Sequence, residues 1–228
     1  MRRLDVEADA AAAFAVLRGG GSAILPMDVG YSLIGGSTAA LIRIFEAKGR
    51  TPEKLNAMIG DGTLARELFD LPPERRAMLE AVTEEHDLPL GAIAPARMDH
   101  PLIAALDAEG RRRSTREGTV CMLLNAGPFH AAISRLSREA GHPLFGSSAN
   151  RSLSGTKFRV EDIEPEVLAA ADHVVDYGLR KFHLYRASST LIDFARLEVV
   201  RFGSCYELIR DALARQFDLR LPDPPAAD

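Results

Sequence analysis

Pro143-Leu144-Phe145-Gly146-Ser147-Ser148-Ala149-Asn150 is the stretch from which the fold is read. Residues 143–145 form a short apolar run that predicts a strand, and 146–150 open into a loop of small residues. Such a loop offers backbone amides, two hydroxyls and a carboxamide, groups suited to phosphate or carboxylate; a plain polar turn is the structural alternative. Just upstream, the patterning predicts a helix over 129–140 and a buried strand over 119–124, so the region reads strand, helix, strand.

The same alternation extends outward in both directions. Towards the N-terminus, a helix over 7–18 is stopped by Gly19-Gly20-Gly21, a strand over 22–25 ends at Pro26, and a turn runs through Asp28 and Gly30. Ser37 can cap the next helix, whose apolar face is Leu41, Ile42, Ile44 and Phe45 and whose end is Lys48-Gly49-Arg50. A strand over 55–59 follows, then helices over 63–69 and 74–85 split by Pro72-Pro73, with bends at Pro89, Pro95 and Pro101. Beyond Asn150 the expectations are a helix over 160–171, strands over 173–175, 190–194 and 197–202, and a closing helix over 206–216. Alternation of this kind without an internal repeat predicts a single-domain α/β fold around a mixed sheet, spanning 1–215, with 216–228 a disordered tail.

Composition excludes several function classes. A chain of 228 residues with 46% hydrophobic and 26% charged residues can bury a core without disulfides or structural metal. Its two cysteines, Cys121 and Cys205, lack partners at metal-ligand spacing and read as free thiols of a reducing compartment, so a cytoplasmic location is expected. The acidic start lacks a signal-peptide core, and no run approaches the roughly 18 apolar residues of a membrane span. Net charge of −4 gives no global field for a polyanion, and the absence of tryptophan leaves few stacking platforms for single-stranded bases.

No P-loop, H-E-x-x-H, nucleophile elbow or dinucleotide fingerprint is present. The six histidines form no i,i+4 pair, and no metal ligand is assigned. Three other segments draw attention. Lys48-Gly49-Arg50 sets two cations just past a helix end, where they either close on a polyphosphate or complement the helix dipole. Gly146 to Asn150 is the second segment. Ser188-Ser189-Thr190, followed by Arg201-Phe202-Gly203, adds hydroxyls and one more cation. Arg111, Arg112, Arg113 and Arg116 form the densest basic cluster, an RNA contact or a solvated face.

Taken in order, Pro26-Met27-Asp28-Val29-Gly30-Tyr31-Ser32-Leu33, Lys48-Gly49-Arg50, Ser148-Ala149-Asn150, Ser189-Thr190 and Arg201-Phe202-Gly203 resemble the successive motifs of the YrdC-like threonylcarbamoyl-AMP synthase family, over about residues 8 to 212. The resemblance implies a twisted mixed sheet flanked by helices, with a concave basic cleft that binds ATP with Mg2+. It also implies a nucleotidyltransferase that makes L-threonylcarbamoyl-AMP from threonine, bicarbonate and ATP, releasing pyrophosphate, for tRNA modification. Carried over by position, Lys48, Arg50, Ser148 and Asn150 are the expected catalytic and nucleotide-binding residues, Arg201 a further nucleotide contact, and Met27, Val29, Tyr31, Leu123 and Ser189 the amino-acid side. Expected partners are ATP and a small amino acid, with tRNA or tRNA-modification proteins beyond them. The chain departs from the family where Met27 and Val29 replace threonines, Ser32 replaces a glycine and Leu123 replaces an arginine, and no tryptophan segment is present. These departures fall on the amino-acid side, which leaves open a synthase using another amino acid, or a non-catalytic relative that binds RNA or a nucleotide. The loop 151–155 is about two residues longer than the family's usual form.

Overall fold

The computed structural model describes residues 3–51 and 54–225. Helix α1 (Val6–Arg18) is capped by Asp5 and leads into the hairpin of β1 (Ser22–Met27) and β2 (Gly30–Gly35). Ser37 caps α2 (Thr38–Lys48) through its side chain, and β3 (Ala57–Ile59) and α3 (Gly62–Leu68) follow. Next come α4 (Pro73–Glu80), which runs on as a π turn over Ala81–Glu85, and β4 (Leu90–Pro95). Two short helices, α5 (Pro101–Ala104) and α6 (Ala108–Ser114), precede β5 (Thr115–Arg116), β6 (Thr119–Leu124), α7 (Pro128–Glu139) and β7 (Phe145–Ser148). The chain closes with α8 (Pro165–Leu168), β8 (His173–Val174), β9 (Thr190–Asp193), β10 (Glu198–Arg201) and α9 (Tyr206–Phe217).

All ten strands join one mixed sheet in the order β10-β9-β4-β6-β3-β7-β2-β1-β8, with β5 paired to β6. Three pairs are parallel (β3 with β6, β4 with β9, β1 with β8) and the others are antiparallel, including the run β3-β7-β2-β1. Side chains alternate across the sheet, so register decides which residues share a face. Ile24, Leu33, Met58, Val120, Met122 and Ile192 point into a large core covered by α2, α3, α4 and α9. On the opposite face, Leu25, Ile34, Ile59 and Leu123 pack under α1 and α7 in a second core.

The second core covers only part of its face. Stepping two residues back from Ile34, Ile59 and Leu123 along their strands reaches Ser32, Ala57 and Cys121, which therefore look out from the same face beyond the helices. Ser32 lies opposite Ser148, Cys121 opposite Ile93, and Leu191 opposite Arg201. These positions lie on that face outside the second core.

Several expected boundaries shift for identifiable reasons. The turn expected through Asp28 and Gly30 is the β1–β2 hairpin turn, and β2 beyond it carries no strand signal because its glycines and serine mask a strand whose six residues are all buried. β4 hides among the prolines taken as bends. The strand expected over 143–145 instead spans Phe145–Ser148, because β7 pairs with β2 through its small residues. The helix expected over 160–171 is interrupted at Pro165 and leaves one 3-10 turn and four helical residues. Disorder from 216 onward is corrected as far as Asp223. α9 runs to Phe217, Leu221 is buried in the large core, Tyr206 donates to the Pro222 carbonyl, and Arg210 pairs with Asp223. Residues 226–228 of that expected tail lie outside the described residues.

Candidate functional site

Lys48 ends α2, and Gly49 turns the chain out of it. Gly49 has φ 55°, a left-handed conformation, while its own N–H and that of Arg50 donate back to Glu46 and Phe45. Open space surrounds its Cα, so backbone conformation alone favours glycine here. The turn sends the two cations to different places. Lys48 is 3% exposed, and its Nζ donates to the carbonyls of Ser148 and Asn150. Burial, reinforced by the charge of Arg50, brings its amine down to about 7. The carbonyl of Lys48 in turn accepts from Ser152 N at 2.9 Å. The side chain expected to meet phosphate thus grips the loop that carries Ser148 and Asn150.

Arg50 packs against other partners. Its Nη2 donates to the Leu55 carbonyl, and its guanidinium lies 5.3 Å from the Phe45 ring centroid, a ring that Arg113 approaches to 4.6 Å. Burial, opposed by Cys121 and reinforced by Arg201, brings Arg50 down to about 10. Burial also lowers Arg201, although that residue keeps contact with solvent. Burial pushes the Cys121 thiol up to about 11, against the pull of Arg201 and Arg50. Arg201 acts on Arg50 and both act on Cys121, so the three are electrostatic neighbours.

Arg50 Nε and Asn150 Oδ1 are buried without a partner. Asn150 is 7% exposed and its Nδ2 donates to the Arg151 carbonyl, leaving the amide oxygen unused. Unsatisfied buried polar atoms are rare in folded proteins and call for an occupant. Asn56, which the β3–β7 register sets opposite Ser147, shares the large-core face with Met58 and Leu33, and both of its amide atoms are buried without a partner.

Arg201 is anchored by Ser189, whose carbonyl accepts from Nε at 3.1 Å and Nη2 at 2.8 Å and whose Oγ lies 3.3 Å from Nη2. Ser189 is buried, so it serves Arg201 and does not reach into open space. The turn beyond Arg201 requires Gly203: a Cβ there would sit 2.4 Å from the Ser188 carbonyl oxygen.

Residues expected on the amino-acid side are placed differently. Met27, Val29 and Leu123 are buried in the second core under α1 and α7, and Tyr31 is buried in the large one. The Tyr31 hydroxyl bonds Asp176, the Gly178 carbonyl and Tyr177 N. At the nearby hairpin turn, Asp28 accepts from Arg180 Nη2 at 3.1 Å, and Arg180 Nε donates to the Met27 carbonyl at 3.0 Å. Burial still raises the Asp28 carboxyl despite Arg180 and Lys181. Sequence reading missed this pair, whose partners are 152 residues apart. It missed Glu164 as well, and it placed Ser32 only as a departure from the family's glycine.

The arginine cluster is spent within the fold. Arg112 and Arg113 both bond Glu109, and Arg111 reaches the Ile103 carbonyl. Among the described residues no three metal-ligating side chains converge, and no helix is long and apolar enough to cross a membrane. A cavity of about 290 Å3 lies at the other end of α2, lined by Gly35, Ser37, Thr38 and His142 among others, and none of the expected catalytic or binding residues borders it.

The model of the Sua5/YciO/YrdC family, described as telomere recombination, matches residues 15–203. The chain belongs to this family. Among curated proteins there is no match. Within the Sua5/YciO/YrdC fold, a hypothetical protein from Streptococcus mutans superposes with a TM-score of 0.77 at 23% identity, covering 93% of this chain and 94% of that one. P. abyssi Sua5, crystallised with L-threonine, gives 0.71 at 21% identity and covers 97% of this chain but 61% of its own. E. coli YciO gives 0.65 at 17% identity, with 88% and 91% covered. At these identities the likeness is one of fold.

Proposed function

We propose that the protein uses ATP and bicarbonate to form a carbamoyl-adenylate on a small amino acid, releasing pyrophosphate, and that the product serves tRNA modification in the cytoplasm. The observation that carries this reading is the electrostatic coupling of Arg201 to Arg50 and of both to Cys121, together with the unpartnered amide oxygen of Asn150. Neighbouring guanidiniums held out of water have their charge compensated by a polyanion. In adenylation, negative charge builds at the α-phosphate and the departing pyrophosphate, so positioned cations supply the main catalytic effect. In this reading Arg50 and Arg201 hold the phosphates, Ser148 and Asn150 form the facing wall, and Lys48 sets that wall in place. Mg2+ would come with the triphosphate and neutralise part of its charge, which suits a cleft whose ligands are cations, hydroxyls and amides.

L-Threonine is the first amino acid to test, since Sua5 is a fold neighbour crystallised with it. A second reading, a relative using another acceptor or binding nucleotide without turnover, is favoured by the burial of Met27, Val29 and Leu123. Incubation with ATP, bicarbonate and each amino acid, followed by pyrophosphate release, separates the readings. Release with one amino acid that is lost in Arg50→Ala supports synthesis. ATP binding with no release for any amino acid supports the second reading.

A further inference from the structure

Glu164, which precedes α8, collects three donors from the segment that follows Asn150. Its Oε2 accepts from Arg151 N at 3.2 Å, and its Oε1 accepts from Ser154 Oγ at 2.5 Å and pairs with Lys157 Nζ at 2.9 Å. Burial pushes this carboxyl up, but bonds from Ser154, Lys157 and backbone amides outweigh it and hold it at about 2. The carboxylate side chain is 19% exposed and that of Lys157 is 18%. The stapled segment is joined to the cleft at both ends. Ser152 N donates to the Lys48 carbonyl at its start, and the Lys157 carbonyl accepts from Tyr31 N at 2.9 Å at its end. Between these ties Leu153 is 93% exposed with φ 71°, a backbone state that side chains resist without external restraint.

We infer that Glu164 is the positioning residue of the cleft: by tying residues 151–157 it holds Ser148 and Asn150 at the spacing a bound nucleotide needs. The inference rests on the nucleotide reading given under Proposed function. Glu164 does not touch the reacting atoms. Its carboxylate fixes the loop from behind, as Lys48 does from the α2 side, and its charge reaches Lys48 as well. Removing it frees the Ser154 and Lys157 anchors together, so the loop opens while both cores stay packed.

The test compares wild type with Glu164→Ala, Glu164→Gln and Glu164→Asp, after thermal melting confirms that each is folded. Trypsin can cut within the loop at Arg151 and Lys157, which reports the staple without reference to any activity. We expect loop cleavage at least tenfold faster in Glu164→Ala, with faster hydrogen exchange across residues 148–152. ATP binding should weaken about tenfold, with KM rising and kcat nearly unchanged, and Glu164→Asp should restore both. Equal cleavage and exchange in wild type and Glu164→Ala would overturn the staple. Faster cleavage with unchanged ATP affinity would overturn the positioning role. If wild type itself binds no ATP, the nucleotide reading falls, and cleavage with exchange at 148–152 still decides whether Glu164 holds the loop.

Discussion

The two ends of one sheet face have opposite character. Around Arg50, Asn150 and Arg201 the structure keeps cations and amides short of partners, whereas around Met27, Val29 and Leu123 it has filled the space with apolar packing. Both regions hang from the same strands: Cys121 and Leu123 are two residues apart on β6, one outside the second core and one under α7. The second core ends where α1 and α7 stop. In the proposed reading, the cations beyond it take an anion as their complement.

Substitutions can break this contrast from either side. The largest effect is expected at the seam, in Asp28→Ala. This change strips the partner from a buried Arg180 and should cost about 3 to 5 kcal/mol, read by denaturant unfolding. On the polar side, Arg50→Ala should remove a charge-assisted contact of about 1.5 to 3 kcal/mol, seen as a ten- to hundredfold loss of ATP affinity by calorimetry with little change in melting. On the apolar side, Val29→Thr buries a hydroxyl and should destabilise by about 1 to 3 kcal/mol without improving threonine use; gain of threonine-dependent pyrophosphate release would show that side to be a substrate site.

Lys48 gives a pH signature. Its amine is held at about 7 in the fold against 10.5 ordinarily, so the unfolded chain binds the extra proton between those values. The penalty of a buried charge is fully present below about pH 7 and fades above it, so Lys48 makes stability rise with pH from about 7 to 10.5. Wild type should gain melting temperature relative to Lys48→Met over that window, and parallel curves would contradict the burial of a titrating amine. The smallest effect is expected from neutralising Arg111, Arg112 and Arg113, which are engaged with Glu109, Phe45 and Ile103: any RNA affinity should hardly change.

Legibility in the sequence followed the range of the interactions. Helices α1, α2 and α7 and strand β6 were readable because caps and apolar periodicity are local. β2, β4 and the far end of β7 were not, since their glycines, prolines and serines become strand only by pairing with neighbours distant in sequence. Order alone marked the segments around 50, 150 and 200. That Lys48 would turn to carbonyls a hundred residues away, and Ser189 to Arg201, depends on side-chain geometry that residue spacing does not carry. Docking of Leu221 was hidden because one apolar residue among prolines looks like tail until α9 offers it a groove.

A crystal structure with a non-hydrolysable ATP analogue tests the central claim most directly. The triphosphate is expected within hydrogen-bonding distance of both Arg50 and Arg201, with Asn150 Oδ1 engaged. A nucleotide bound instead in the cavity beside Ser37 and Thr38, or none bound at millimolar concentration, would contradict it.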